Sequence, residues 1–178
     1  MSKFRASSFF DKDKKSSPAL ITSGFLLAVG DKASLNATTA AWGAIGHFWE
    51  RNVIFAFVSP QAQRHILQLL RREKFFSVSF LPEEHKRMLT VYDVLTGRGA
   101  DKIKKINPTP VKLSNGVITF LQASRVVVCN TLHTEDFIDP TNFIDDDDFA
   151  GVNIPSDIYR RKELYHMFIG EFVDLLGK

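Results

Sequence analysis

The sequence predicts a mainly β domain with a few helices, built as an antiparallel barrel, closed or split. Three observations carry that expectation. First, Ala19–Val29, Asn52–Val58, Phe75–Leu81, Val117–Thr134 and Tyr165–Leu175 are rich in β-branched and aromatic residues and are bounded by Gly, Pro, Asn or Asp. Second, Ser114-Asn115-Gly116 supplies an Asn-Gly pair suited to two positive-φ positions, so Val111–Leu113 and Val117–Leu121 read as a hairpin. Third, helical patterns are few and interrupt the strands irregularly, which disfavours a doubly wound parallel sheet.

The helices are argued one at a time. Ser59-Pro60 offers an N-cap and the residue favoured at the first helical position. Ile66, Leu67, Leu69 and Leu70 then form one apolar stripe ending at Arg71-Arg72, where cations suit the helix dipole. A second helix is expected from near Pro82, with Met88, Leu89 and Tyr92 inward, and a short third over Asp101–Ile106. Residues 1–16 read as a polar arm carrying Phe4, Phe9 and Phe10, and residues 17–178 as a single domain.

The chain of 178 residues is long enough for one domain. A globule of that size buries roughly 70% of the surface its unfolded chain exposes. Hydrophobic residues make up 44% and charged residues 24%, with 16 Phe, which excludes disordered and low-complexity classes. The single cysteine, Cys129, excludes an internal disulfide framework and suits a reducing compartment. Near the N-terminus Lys3, Arg5, Lys12, Lys14 and Lys15 mix with Asp11 and Asp13, and no apolar core of a signal peptide follows them. The run Phe25–Val29 is far too short to cross a bilayer, so a cytoplasmic location without a membrane partner is expected.

The formal net charge is only +3, although the sequence pI is about 9.0. Charge is unevenly placed: His133–Ala150 holds seven carboxylates, Glu135, Asp136, Asp139 and Asp145 to Asp148, and no Lys or Arg. Lys86–Lys112 is predominantly basic. The basic residues are not interleaved with aromatics in any nucleic-acid-binding module, and no nucleic-acid partner is expected.

Most chemical motifs fail on inspection. Gly97-Arg98-Gly99 has only the opening of a dinucleotide fingerprint and follows a helical segment. His47, His65, His85, His133 and His166 show no metal-ligand spacing. An EF-hand register from Asp145 would put Phe149 at a ligand position and Ser156 where the bidentate Glu belongs, so no metal is expected. Cys129 lies in the apolar run after Val126-Val127-Val128, which suits a core residue better than a reactive thiol.

Two polar segments remain. Asn36-Ala37-Thr38-Thr39-Ala40-Ala41-Trp42-Gly43 combines small residues, hydroxyls and an indole. It can offer backbone N–H groups and hydroxyls to a phosphate or a flat heterocycle, or it can be a Thr/Ala-rich sheet edge. Ser59-Pro60-Gln61-Ala62-Gln63-Arg64 is the second candidate, because unpaired N–H groups at a helix N-terminus favour anions.

Taken together, these blocks make the chain resemble the flavin reductase-like family of FMN-binding split barrels, from about Ser17 to Leu176. The family pattern places Gly-Asp ahead of an Asn-x-Met-Thr-x-x-Trp block. Here Gly30-Asp31 precedes Asn36 to Trp42, with Thr38 in place of the usual Met. Gly46, Trp49, the strand-Pro-helix unit Phe57–Leu70, Thr96 to Lys102, the Ala123–Cys129 strand and Tyr165 to Glu171 complete the match. Where family members often carry Arg-Pro-x-Arg-x-Thr, this chain has Ser59-Pro60-Gln61-Ala62-Gln63-Arg64: both arginines are replaced, and Arg64 stands at the Thr position.

The resemblance implies a six-stranded split barrel of the antiparallel Greek-key type, working as a homodimer with non-covalent FMN near the interface. It also implies hydride transfer from NAD(P)H to the flavin and electrons passed on to a small-molecule or protein acceptor. By position, Asn36, Thr38, Thr39, Ala40, Ala41 and Trp42 would line the flavin. Ser59, Gln61, Ala62, Gln63 and Arg64 would hold the phosphate, with Arg98 and Lys102 adding charge. His166, the expected catalytic residue, and Phe168 would approach the ring system. A non-catalytic flavin carrier, sensor or electron relay on the same fold is the alternative.

Overall fold

The structure, a computed structural model, describes residues 5–6, 17–30, 35–58, 64–94, 109–135 and 165–178. Ser59, Gln61, Ala62, Gln63, Arg98, Lys102, the expected helix over Asp101–Ile106, the acidic run Asp145 to Asp148 and the side chains of Arg64 and Tyr92 lie outside what is described. In chain order the elements are β1 (Arg5–Ala6), α1 (Ser17–Thr22), β2 (Phe25–Val29), β3 (Asn36–Ala40), β4 (Gly43–Phe48), β5 (Arg51–Val58) and α2 (Arg64–Arg72). They continue with β6 (Phe75–Phe80), a 3-10 turn at Glu83–His85, α3 (Arg87–Val94), β7 (Pro110–Lys112), β8 (Ile118–Phe120), β9 (Arg125–Glu135) and β10 (His166–Gly177).

Two expected strands are redrawn. The segment from Ala19 opens as helix α1, which Gly24 ends at φ 78 while its N–H donates to the Ile21 carbonyl at 2.9 Å. Glycine reaches that left-handed conformation without steric cost, so the chain leaves the helix and starts β2 at the next residue. The segment Val117–Thr134 is two strands, β8 and β9, separated by a turn in which the Ala123 N–H donates to the Phe120 carbonyl at 3.0 Å.

The main sheet has eight strands rather than six. Seven follow the order β3-β2-β6-β9-β10-β5-β4, and β1, from the N-terminal arm, pairs with the far end of β10 at Leu176 and Gly177. Every pairing among the described residues is antiparallel. Laid flat, seven strands at about 4.8 Å spacing would put β3 and β4 roughly 29 Å apart. Yet β3 and β4 are joined through Ala41 and Trp42 alone, and so short a link reaches only about 10 Å. The sheet therefore curls until its two ends meet. No ladder joins β3 to β4 among the described residues, so the barrel is split at that corner.

Both faces of the curled sheet are buried, by different partners. Inside, Phe25, Leu27, Ile54, Ala56, Phe76, Val78, Val127 and Phe168 pack on Ile66, Leu67, Leu69 and Leu70 of α2. Each such aliphatic or aromatic side chain contributes roughly 1.5–3 kcal/mol through removal from water. Outside, Leu26, Ala28, Ala37, Val126 and Val128 lie beneath Met88 and Leu89 of α3 and Val117 and Phe120 of the β7–β8 region. Ser77 and Ser79 face that outer layer: the Ser77 hydroxyl donates to the Ile118 carbonyl at 2.8 Å, and Ser79 shares a 2.8 Å hydrogen bond with the Thr119 hydroxyl.

Candidate functional site

The split corner is where the sequence candidates begin to converge. Ala41 and Trp42 form its link, and both are exposed, Trp42 by 44%. The link is held on both sides of Trp42. The Phe57 N–H donates to the Trp42 carbonyl at 3.1 Å. At the next residue, a Cβ on Gly43 would lie 2.4 Å from the Phe55 carbonyl oxygen, so only glycine lets β4 approach β5 so closely.

The β5–β10 ladder brings the third candidate segment to the same place. His166 pairs with Val58, the last residue before segment 59–63, and Met167 pairs with Phe57. Beside them the Tyr165 ring stacks on the Trp42 indole, with centroids 4.5 Å apart and planes inclined at 27°. From the other side Arg71, on the last turn of α2, reaches His166 Nδ1 at 3.3 Å. Trp42, Tyr165, His166 and Arg71 thus meet around Val58 at the end of β5.

Other expected site residues are engaged within the fold. Thr39 faces the outer layer, and its hydroxyl donates to the Leu89 carbonyl of α3 at 2.6 Å. Thr38 is fully buried, with its hydroxyl donating to the Thr39 carbonyl at 3.2 Å. Asn36 is buried and its side-chain oxygen accepts the Ala37 N–H at 2.9 Å. Ala40 lies in the inner core, and the Phe168 ring packs there, only 1% exposed. Arg64 is the first residue of α2.

Tyr165 and Arg71 are the members the sequence did not single out. Tyr165 stood inside a matched block without an assigned role. Arg71 read only as a favourable charge at a helix end, and nothing local ties it to a residue 95 positions away. Cys129 lies in the inner core, where burial pushes its thiol well above the ordinary 9.0. Among the described residues no group of three or more His, Cys, Asp or Glu could hold a metal ion.

The side chains at the split corner suit a flat, electron-poor heterocycle. An exposed indole and a phenol offer ring faces, and imidazole and guanidinium bring polar nitrogens to the same place. A flavin has such a ring system, and the ring faces and polar side chains described at the corner fit it.

No protein-family model and no curated protein matches the sequence. Among solved structures, the chain is similar to an FMN-binding protein from Thermus thermophilus with bound p-hydroxybenzaldehyde, at 17% identity and TM-score 0.62 over 87% of this chain and 71% of that one. It is similar to the flavoredoxin of Desulfovibrio vulgaris (Miyazaki F), at 15% identity and TM-score 0.63 over 98% and 77%. A third is the NADH:FAD oxidoreductase of Streptomyces globisporus C-1027 in complex with NAD and FAD fragments, at 13% identity and TM-score 0.59 over 87% and 74%. The chain has the fold of the flavin reductase-like, FMN-binding split barrels.

Proposed function

We infer that the protein is an FMN-dependent oxidoreductase of the flavin reductase type. In this reading it accepts hydride from NAD(P)H on a non-covalently held flavin and passes electrons to a small-molecule or protein acceptor. It acts as a cytoplasmic homodimer. The observation that carries the reading is the meeting of Trp42, Tyr165, His166 and Arg71 around Val58 at the split of this particular barrel.

When bound, the flavin supplies the hydride chemistry itself, so the protein needs no nucleophile. The task of this chain is to place two flat rings against one another and exclude water from between them. Trp42 and Tyr165 give the ring system an aromatic wall, and His166 offers a hydrogen bond to its edge. The segment 59–64 and the start of α2 hold the phosphate, with Arg64, Arg98 and Lys102 as its cations. One guanidinium can engage a phosphate through two N–H groups, which lets Arg64 replace the arginines absent from positions 59 and 62.

Titration of the purified protein with FMN under Trp fluorescence, followed by anaerobic mixing with NADH and NADPH, tests this reading. Saturable quenching and bleaching of the flavin are expected. A protein that binds no FMN is not of this type. The carrier reading is favoured by the likeness to a protein named only for binding FMN and to a flavoredoxin. A flavin that binds but stays oxidised with both nicotinamides would establish that second reading.

A further inference from the structure

We propose that the open edge of β4 pairs with the same edge of a second copy of this chain, about a two-fold axis at Ile45, so that the partner's Phe48-Trp49 hairpin tip flanks Trp42 at the split corner. The proposal rests on the homodimer of the proposed function for the existence of the second copy, and on the geometry of β4 for where it sits.

Strand β4 ends the sheet, and β5 is its one ladder partner among the described residues. Along an antiparallel ladder, hydrogen-bonded pairs alternate with non-bonded pairs. The Phe57 N–H on the Trp42 carbonyl fixes the phase, and the Phe55 carbonyl oxygen, turned toward β4 beside Gly43, agrees with it. Ala44, Gly46 and Phe48 are then bonded to Phe55, Val53 and Arg51, whereas Gly43, Ile45 and His47 turn their N–H and C=O groups away from β5. Among the described residues no other backbone hydrogen bond reaches those three. Sheet edges are commonly guarded by a charge, a proline or a bulge. Here the ladder is unbroken, Ala40 to Trp49 contains no Lys, Arg, Asp, Glu or Pro, and Ala44, Gly46 and His47 are exposed. A Cβ on Gly46 would meet nothing within 4 Å. Ile45 and Leu20 of α1 pack on the inner core, which holds the strand in place. The edge stands open to another backbone.

The phase of the ladder selects the occupant. An antiparallel partner must set outward residues against outward residues, and a second β4 does so with all three when Ile45 faces itself and Gly43 faces the partner's His47. Each of these pairs exchanges two hydrogen bonds. In that register Ala44 lies opposite the partner's Gly46, and Phe48 lies opposite the partner's Trp42 on the same face of the joined sheet. With no formal charge along the strand, the two copies meet without like-charge repulsion. Trp49 and Glu50 hold φ values of 50 and 60, although Asn-Gly would hold them at less cost, and Trp49 is 74% exposed. A partner supplies the contact that the single chain does not. Trp42 and Trp49 flank opposite ends of β4, roughly 23 Å apart along an extended strand, so the tip reaches a corner only across the dimer.

Cross-linking reads the register in the full chain. Residues 44 and 46 of opposite copies form a non-bonded pair, the kind whose Cβ atoms approach closely enough for a disulfide. Mild oxidation of the double variant Ala44→Cys with Gly46→Cys should therefore give a covalent dimer, and neither single variant should; the native Cys129 is buried and does not compete. A double variant that stays unlinked, or a single variant that links as well, overturns the register. Sedimentation equilibrium reads the edge itself. His47→Pro removes an outward N–H and spares the β5 ladder, so by symmetry two hydrogen bonds are lost and the dimer dissociation constant should rise about 30-fold. His47→Ala keeps the N–H and should leave the constant unchanged, and circular dichroism verifies that each variant is folded. A dimer unmoved by His47→Pro overturns the β4 interface and leaves the homodimer standing, whereas a monomeric wild type overturns both. FMN affinity should weaken about fivefold in Trp49→Ala, as for one lost aromatic contact. Equal affinities overturn the shared corner. A wild type that binds no FMN overturns the flavin reading instead, with the interface decided independently by the cross-link.

Discussion

Gly170 shows how a single residue can set the width of the barrel. A Cβ there would stand 2.4 Å from Phe76 Cζ and 2.7 Å from Cys129 Cβ, two inner-core side chains that are themselves fully buried. Gly170→Ala should destabilise the protein by about 1–3 kcal/mol, the usual cost of overpacking. Urea unfolding would check this, with Phe76→Leu in the same chain restoring part of the loss. Cys129 makes a second prediction through its raised pKa. Once pH exceeds the ordinary 9.0, the thiol ionises in the unfolded chain but stays protonated in the folded one. The unfolded state then holds fewer protons, and stability falls by about 1.4 kcal/mol per pH unit from this group until the folded thiol itself titrates. Below 9.0 the contribution is fully present. Unfolding midpoints measured across that range should fall more steeply for wild type than for Cys129→Ala, and parallel curves would contradict it.

Among the elements, the β4–β5 hairpin is the one least visible in the sequence. Its ladder runs to Phe48 opposite Arg51, so the turn consists of Trp49 and Glu50, at φ 50 and 60. Two successive left-handed residues are what a tight hairpin needs, but Asn-Gly is the usual way to supply them. Here bulky side chains take the cost of that region, of order 1 kcal/mol each. Partial compensation comes from the Trp49 ring, which is 74% exposed yet stacked on Phe48 at 4.5 Å. Replacing Trp49-Glu50 by Asn-Gly should raise stability by about 1 kcal/mol with the fold unchanged, read as a higher urea midpoint with the same slope. The opposite change at the β7–β8 turn, Asn115→Leu with Gly116→Leu, should lower it, since Gly116 sits at φ 89. The α2 helix behaves as its apolar stripe predicts, with Ile66, Leu67, Leu69 and Leu70 buried and Gln68, Arg71 and Arg72 exposed.

At the scale of the molecule, the central fact is a sheet whose ends meet without pairing. Its split carries the exposed Trp42, and the expectation drawn from the family likeness is that a second copy completes the site there. Sedimentation equilibrium should give twice the 20.1 kDa chain mass, and a monomer that still binds FMN fully would refute that arrangement. No helix among the described residues is long and apolar enough to cross a membrane. The two buried layers also explain why β2 and the first half of β9 read as unbroken apolar runs. Leu26 and Ala28 are covered by α3 and the β7–β8 layer, while Phe25, Leu27 and Val29 fill the barrel. Alternation, the ordinary mark of an antiparallel strand, is erased where both faces are covered.

The amphipathic stripe of α2, the β7–β8 hairpin and the strongly apolar strands β5, β6 and β10 were legible because each is dictated by neighbours within a few positions, although of the Asn115-Gly116 pair only Gly116 takes a positive φ, in a longer turn closed by the Gly116 N–H on the Leu113 carbonyl. Strand β4 was not, and β3 was legible only as the alternative reading of its segment as a Thr/Ala-rich sheet edge, the place the structure gives it. Asn36-Ala37-Thr38-Thr39-Ala40 has little apolar mass, and its strand is stabilised by β2 and by the Leu89 carbonyl that takes the Thr39 hydroxyl. The candidate site divides the same way. Trp42 was marked by its place in the small, polar segment Asn36 to Gly43, and His166 by the resemblance alone. Neither signal could separate Trp42, which stays exposed, from Thr38 and Phe168, which are enclosed, nor pair His166 with Arg71 and Tyr165 with Trp42. Local sequence sets what each segment prefers within a few residues. Which side chains meet across 95 or 123 positions depends on how the sheet closes on itself, and that is settled by long-range packing, with the Ala41-Trp42 link too short to allow anything but a curl.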